Sequence, residues 1–105
     1  MTYEFDQTVS AELIPVLDTH SGRLIMSSIV HLEMAMSRIQ TMIACEEDVQ
    51  LNYFYEALGI DPTVIGEELG WRIGAQPEVH FGTRLMPNNK PILIFWYSKN
   101  PEMLR

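Results

Sequence analysis

The order of apolar and polar residues divides the chain into segments of different period. Over residues 49–58, Leu51, Phe54, Tyr55 and Leu58 recur three or four apart, the spacing of one helix face. Asp48, after Glu46 and Glu47, stands where a cap belongs, since the first amides of a helix favour acidic groups. Gly59 then ends the helix, because a residue without Cβ takes a left-handed backbone at little cost, and Ile60 folds back onto the last turn. Asp61 and Pro62 read as a second cap and first helical position, predicting a short helical turn to about residue 69. Trp71, bracketed by glycines, is expected to fill the gap between helices and sheet, burying roughly 150 to 250 Å².

The longest periodic stretch spans residues 28–44. Ser27 or Ser28 caps it, and Ile29, Leu32, Met36, Ile39 and Ile43 form its core face. Val30, Met34 and Met42 widen the apolar surface, so this helix either is central or presents a second side to a partner. Glu46, Glu47 and Asp48 leave room only for a tight corner before the next helix.

Strand periodicity appears at both ends. Residues 79–86 alternate Val79, Phe81, Thr83 and Leu85 with His80, Gly82 and Arg84, predicting a one-sided strand. Pro87, Asn88, Asn89 and Lys90 carry turn chemistry, and residues 92–97, apolar at every position, read as an interior strand covered on both faces. Upstream, residues 13–17 form an apolar run that Pro15 demotes to an edge strand; residues 18–22 are a turn and residues 23–26 a return strand, with a helix over 11–17 as the alternative. Residues 1–10 alternate weakly, as an edge strand or a loosely held terminus, and residues 98–105 read as a tail whose Met103 and Leu104 either dock or stay free. Together these predict one α+β domain over residues 1–105: two helices packed on a small antiparallel sheet that ends in a C-terminal hairpin.

Composition narrows the function classes. With 47% apolar and 20% charged residues the chain is globular rather than disordered. Its net charge of -7 disfavours nucleic acid and anionic membrane surfaces and leaves a basic protein partner as the electrostatic expectation. One cysteine, Cys45, excludes an internal disulfide and a cysteine-rich metal site. No secretory pattern opens the sequence and no run approaches the about 18 apolar residues of a membrane span, so a cytoplasmic location is expected.

Candidate chemistry is sparse. His20, His31 and His80 have no further ligand at metal-binding spacing, and no phosphate-cradling glycine loop occurs, so neither metal nor cofactor is expected. Cys45, at the end of an apolar helix, reads as a packing residue or a plain surface thiol, and Glu67 with Glu68 reads as helix-start electrostatics. His20, between Asp18 and Ser21 on a turn tip, is the one place for an enzymatic alternative. The methionines at 26, 34, 36 and 42 suit an adaptable binding surface as well as a soft core.

The segment LNYFYEALGIDPTVIGEELGW resembles a pattern, LNxFYxxLGLxPTxxGxxLGW, of small uncharacterised proteins from phages and mobile elements of Gram-positive bacteria. Leu51, Asn52, Phe54, Tyr55, Leu58, Gly59, Pro62, Thr63, Gly66, Leu69, Gly70 and Trp71 carry the likeness. Those relatives have an additional N-terminal region, and Asp and Gly in the late turn where this chain has Asn89 and Lys90. The resemblance implies a mobile-element origin and places no residue in an active site. The expectation is therefore a non-enzymatic accessory protein that binds another protein, an inhibitor of a host or defence protein among the options, with Met34, Met42, Glu46, Glu47, Asp48 and His20 as candidate contacts. A structural homo-oligomer of a virion or mobile element, its methionine-flanked helix face buried between subunits, is the alternative.

Overall fold

A computed structural model describes residues 13–45 and 47–104. Among these, β1 (Ile14–Asp18) and β2 (Leu24–Ser27) form a first hairpin, and β5 (Val79–Leu85) and β6 (Pro91–Tyr97) a second. Between them run α1 (Ile29–Ala44), β3 (Val49–Gln50), α2 (Leu51–Leu58), a 3-10 turn (Ile65–Glu67) and β4 (Leu69–Trp71); β7 (Glu102–Met103) follows the second hairpin. The hairpins join into one four-stranded sheet in the order β2-β1-β6-β5, and β3, β4 and β7 make a second, smaller sheet. The α+β class follows directly. The β1–β6 pairing is parallel, so this sheet is mixed where the sequence pattern predicts a wholly antiparallel one, and the chain between the two strands, which contains both helices, supplies the long connection that a parallel pair needs.

Proline placement explains a difference from expectation. β1 is an interior strand, paired with β2 on one side and β6 on the other, not an edge. Pro15 is tolerated because the ladder to β6 begins only at Val16. The turn at 18–22 and the return strand form as expected, which removes the helical alternative for residues 13–17.

The helices end where the capping chemistry says they should. The Ser28 hydroxyl accepts the His31 amide at 3.1 Å and starts α1. Leu32, Ala35, Met36, Ile39 and Ile43 are buried, while Ile29, in the first turn, is exposed. Gly59 takes φ 75°, and the Ile60 amide reaches the Tyr55 carbonyl, closing α2 as expected. Asp48 does not cap α2. The two-residue strand β3 intervenes, and the Asp48 carboxylate accepts the Ile73 amide at 2.9 Å instead.

The helical turn expected after Pro62 contracts to a single 3-10 turn, because residues 69–71 pair as β4 with β3 and β7. Two glycines permit this close packing. A Cβ on Gly70 would run into the Val49 carbonyl oxygen, and one on Gly66 into the Asn52 side chain. Asn52 in turn holds Thr63 by two hydrogen bonds of 2.9 Å, its amide donating to the carbonyl and its oxygen accepting the amide N–H. Of the two options for the tail, docking holds over its described part: β7 pairs with β4, Pro101 is buried, and the Leu104 amide donates to the Glu68 carbonyl. The expected strand or terminus over residues 1–10 lies outside the described residues.

Phe54 sits at the centre, with the rings of Trp71, Phe95 and Tyr97 5.6 to 6.5 Å from its own. Trp71 is fully buried, and its indole N–H donates to the Lys99 carbonyl at 2.8 Å. Replacing Trp71 with alanine should lower stability by about 3 to 5 kcal/mol, measured by urea unfolding. A loss below about 1 kcal/mol would contradict the central place given to this side chain.

Candidate functional site

Two regions concentrate polar or exposed groups beyond what packing requires. The first is the β1–β2 turn. Asp18 ends β1 on the helix-facing side and is fully buried. One carboxylate oxygen accepts the His20 amide at 3.0 Å; the other accepts the hydroxyls of Ser21 and Tyr55, each at 2.8 Å. The turn is thereby closed and fastened to α2. Arg23 lies 4.6 Å from the Tyr55 ring centre, a cation over an aromatic face, and Nη1 donates to the Asp61 carbonyl. Arg23 Nε and Nη2 and the Tyr97 hydroxyl are buried with no hydrogen-bond partner among the described residues.

Burial first, then the Asp18 charge, pushes the Tyr55 hydroxyl up from 10.0 to about 12, and the same two causes raise Tyr97 well above the usual tyrosine range. Both therefore stay protonated at neutral pH. Ser21 donates to Asp18, and His20 meets Asp18 through its backbone amide while its ring stands edge-on to Tyr97 at 5.9 Å. The serine is thus held by the carboxylate, not by the imidazole that would have to activate it as a nucleophile. The cluster functions as a buried brace between hairpin and helix.

The other sequence candidates are dispersed. Met34 is 62% exposed on the solvent side of α1, whereas Met42 is half-buried against the core. The two line one shallow depression with Ser37, Arg38 and Thr41. Glu47 and Asp48 are exposed at the corner after α1, Glu46 lies outside the described residues, and His20 belongs to the distant-in-sequence turn of the first hairpin. His31 bonds the Ser28 cap and His80 stacks obliquely on Trp96, so the histidines serve three different elements.

The second region emerges from strand register. Val16, Asp18, Ile25, Phe95 and Tyr97 face the helices and are buried, and Leu93, Val79 and Phe81 pack beside them. The alternate residues must then point to the opposite face. Register aligns Leu24, Leu17, Ile94 and Gly82 in one row across the four strands, Met26 with Pro15 and Ile92 with Arg84 in the next, and Trp96 beside His80. Leu24 is 59%, Met26 55% and Trp96 39% exposed, while Leu17, Ile92 and Ile94 are half-buried. A Cβ added at Gly82 would sit 3.2 Å from the Trp96 ring, so the glycine leaves the space that this indole covers. The expectation that residues 92–97 are covered on both faces is therefore corrected: among the described residues no helix or second sheet covers the outer face of β6, where Trp96 is exposed and Ile92 and Ile94 are half-buried.

Comparison with known families adds one finding. The sequence profile described as a family of unknown function (DUF6353) matches residues 4–104. The chain belongs to this family. No curated protein and no solved structure matches it. In this DUF6353 member the register gathers Leu17, Leu24, Met26, Ile92, Ile94 and Trp96 on one face, and of these the sequence pattern marks only Met26, among the methionines, as a candidate contact. The signal is present in the unbroken apolar run of β6, which admits a buried strand and a strand with one sticky face equally.

The brace gives a pH expectation. Between pH 10 and about 12 the unfolded chain has lost the Tyr55 proton and the folded chain has kept it, so stability must fall as pH rises through this window, with Tyr97 acting in the same direction. Tyr55→Phe should lower stability at pH 7 by about 1 to 2 kcal/mol and flatten that alkaline decline. An unchanged alkaline profile in the variant would contradict the brace.

Proposed function

We propose that this protein is a non-catalytic accessory factor of a phage or mobile element, acting in the cytoplasm by protein–protein binding through the outer face of its four-stranded sheet. The observation that carries the reading is the apolar row structure of that face. Four strands about 4.8 Å apart, read over five to seven residues of about 3.3 Å, offer a face of the order of 400 Å² in outline, within the range of the largest patch on a typical monomer, which is often a functional one. Large apolar patches on small soluble domains mark interaction sites, because water is expelled from them on contact. Trp96 supplies the aromatic anchor that protein interfaces favour, and Arg84 the guanidinium at the rim.

The mobile-element part of the reading rests on the resemblance of residues 51–71. That segment supports a scaffold role rather than a chemical one: Asn52, Gly59, Thr63, Gly66, Gly70 and Trp71 are engaged in capping, close packing or core contacts. A homo-oligomeric component is the second reading, and the apolar character of the same face favours it.

The test is site-specific photocross-linking in the cell of origin. With a benzophenone side chain at position 26, covalent protein adducts are expected; at position 34, on the solvent side of α1, they are not. Adducts from position 34 alone, or from neither position, would contradict the reading.

A further inference from the structure

We infer that the occupant of the open sheet face is a second copy of this chain, stacked sheet on sheet about a two-fold axis that runs along the strands. This rests on the reading that the face is a binding surface, and it names the partner.

Three features of the face support a self-contact. The first is its size. Allowing for side-chain relief, the face exposes roughly 600 Å² per copy, so a pair would remove about 1,200 Å² from water, the lower bound of stable specific interfaces.

The second is shape. An axis along the strands places β2 of one copy over β5 of the other and β1 over β6, so the two halves of the face meet each other rather than themselves. The half built from Leu24, Met26 and Leu17 then lies against the half that carries Trp96 over Gly82. Flexible aliphatic side chains fill in around a fixed indole.

The third is charge. The chain has 14 acidic residues, yet no acid occupies an outward position of these four strands. Arg84, at the β5 edge, is the fixed charge of the face, and this axis keeps the two copies' arginines on opposite edges, about 14 Å apart across the sheet, beyond a Debye length at physiological salt. The acidic remainder repels between copies, so salt should strengthen the pair.

The test is sedimentation equilibrium of the full chain from about 5 to 200 µM at low and high salt, read together with acrylamide quenching, since association by mass action must depend on concentration. Trp71 is fully buried, so changes in quenching report Trp96. The mass should rise from 12.1 kDa to twice that value with concentration, more readily in high salt, and Trp96 should become protected in parallel. Met26→Glu and Ile94→Glu should each stay monomeric, with circular dichroism unchanged, while Met34→Glu should associate like the natural chain.

A monomer at every concentration with Trp96 quenched throughout overturns the self-contact and leaves the face available to a different protein, which the cross-linking experiment then reads. A monomer whose Trp96 resists the quencher means that the chain covers its own face, and overturns both the pair and the binding surface. Association that survives Met26→Glu and Ile94→Glu but is lost in Met34→Glu does the same.

Discussion

The fold depends on a single constraint, the enclosure of the Phe54 ring. α2 reaches both sheets through it, touching Phe95 and Tyr97 of the four-stranded sheet and Trp71 of the small one. Offset and edge-on aromatic pairs add about 0.5 to 1.5 kcal/mol each beyond the area they bury, so several rings around one centre fix orientation as well as distance. The remaining devices of the middle segment serve that enclosure. Gly70 lets β4 approach β3, Asn52 ties the loop after α2 back to the helix, and the Trp71 indole is satisfied by the Lys99 carbonyl, which brings in the C-terminal strand.

Much of this is legible in the order of residues alone. Periods of three and four mark both helices, the Ser28 and Gly59 caps follow from backbone chemistry, and the late Pro-Asn-Asn-Lys turn forms with Asn89 at φ 68°. Pairing between distant segments is not legible in this way. Pro15 argues for an edge, and only the position of β6, beginning one residue later in the ladder, shows why a proline fits an interior strand. The two-residue strands β3 and β7 are too short to show a period. Asp48 looks like a cap because capping is a local rule, and it is recruited instead by an amide 25 residues away.

The candidate contacts show the same division. His20 stands out beside Asp18 and Ser21, and those three do meet, but as a closed turn pinned by Tyr55, a partner 37 residues from Asp18 that no local pattern announces. Methionines on α1 suggest a sticky helix. The larger apolar surface belongs to the sheet, where it is assembled by register from segments that individually look like ordinary core strands. Among the described residues the helices lie on one side of this sheet, and its other side presents Leu24, Met26 and Trp96 to solvent.

That asymmetry is the claim on which the functional account stands, and two adjacent residues of β6 test it. Phe95 faces the helices and Ile94 faces outward, so at a protein concentration too dilute for association the account predicts opposite outcomes in urea unfolding. Phe95→Ala should lose about 3 to 5 kcal/mol, whereas Ile94→Glu should stay within about 1 kcal/mol of the natural chain. If Ile94→Glu unfolds as readily as Phe95→Ala, the outer face is core and the account is wrong.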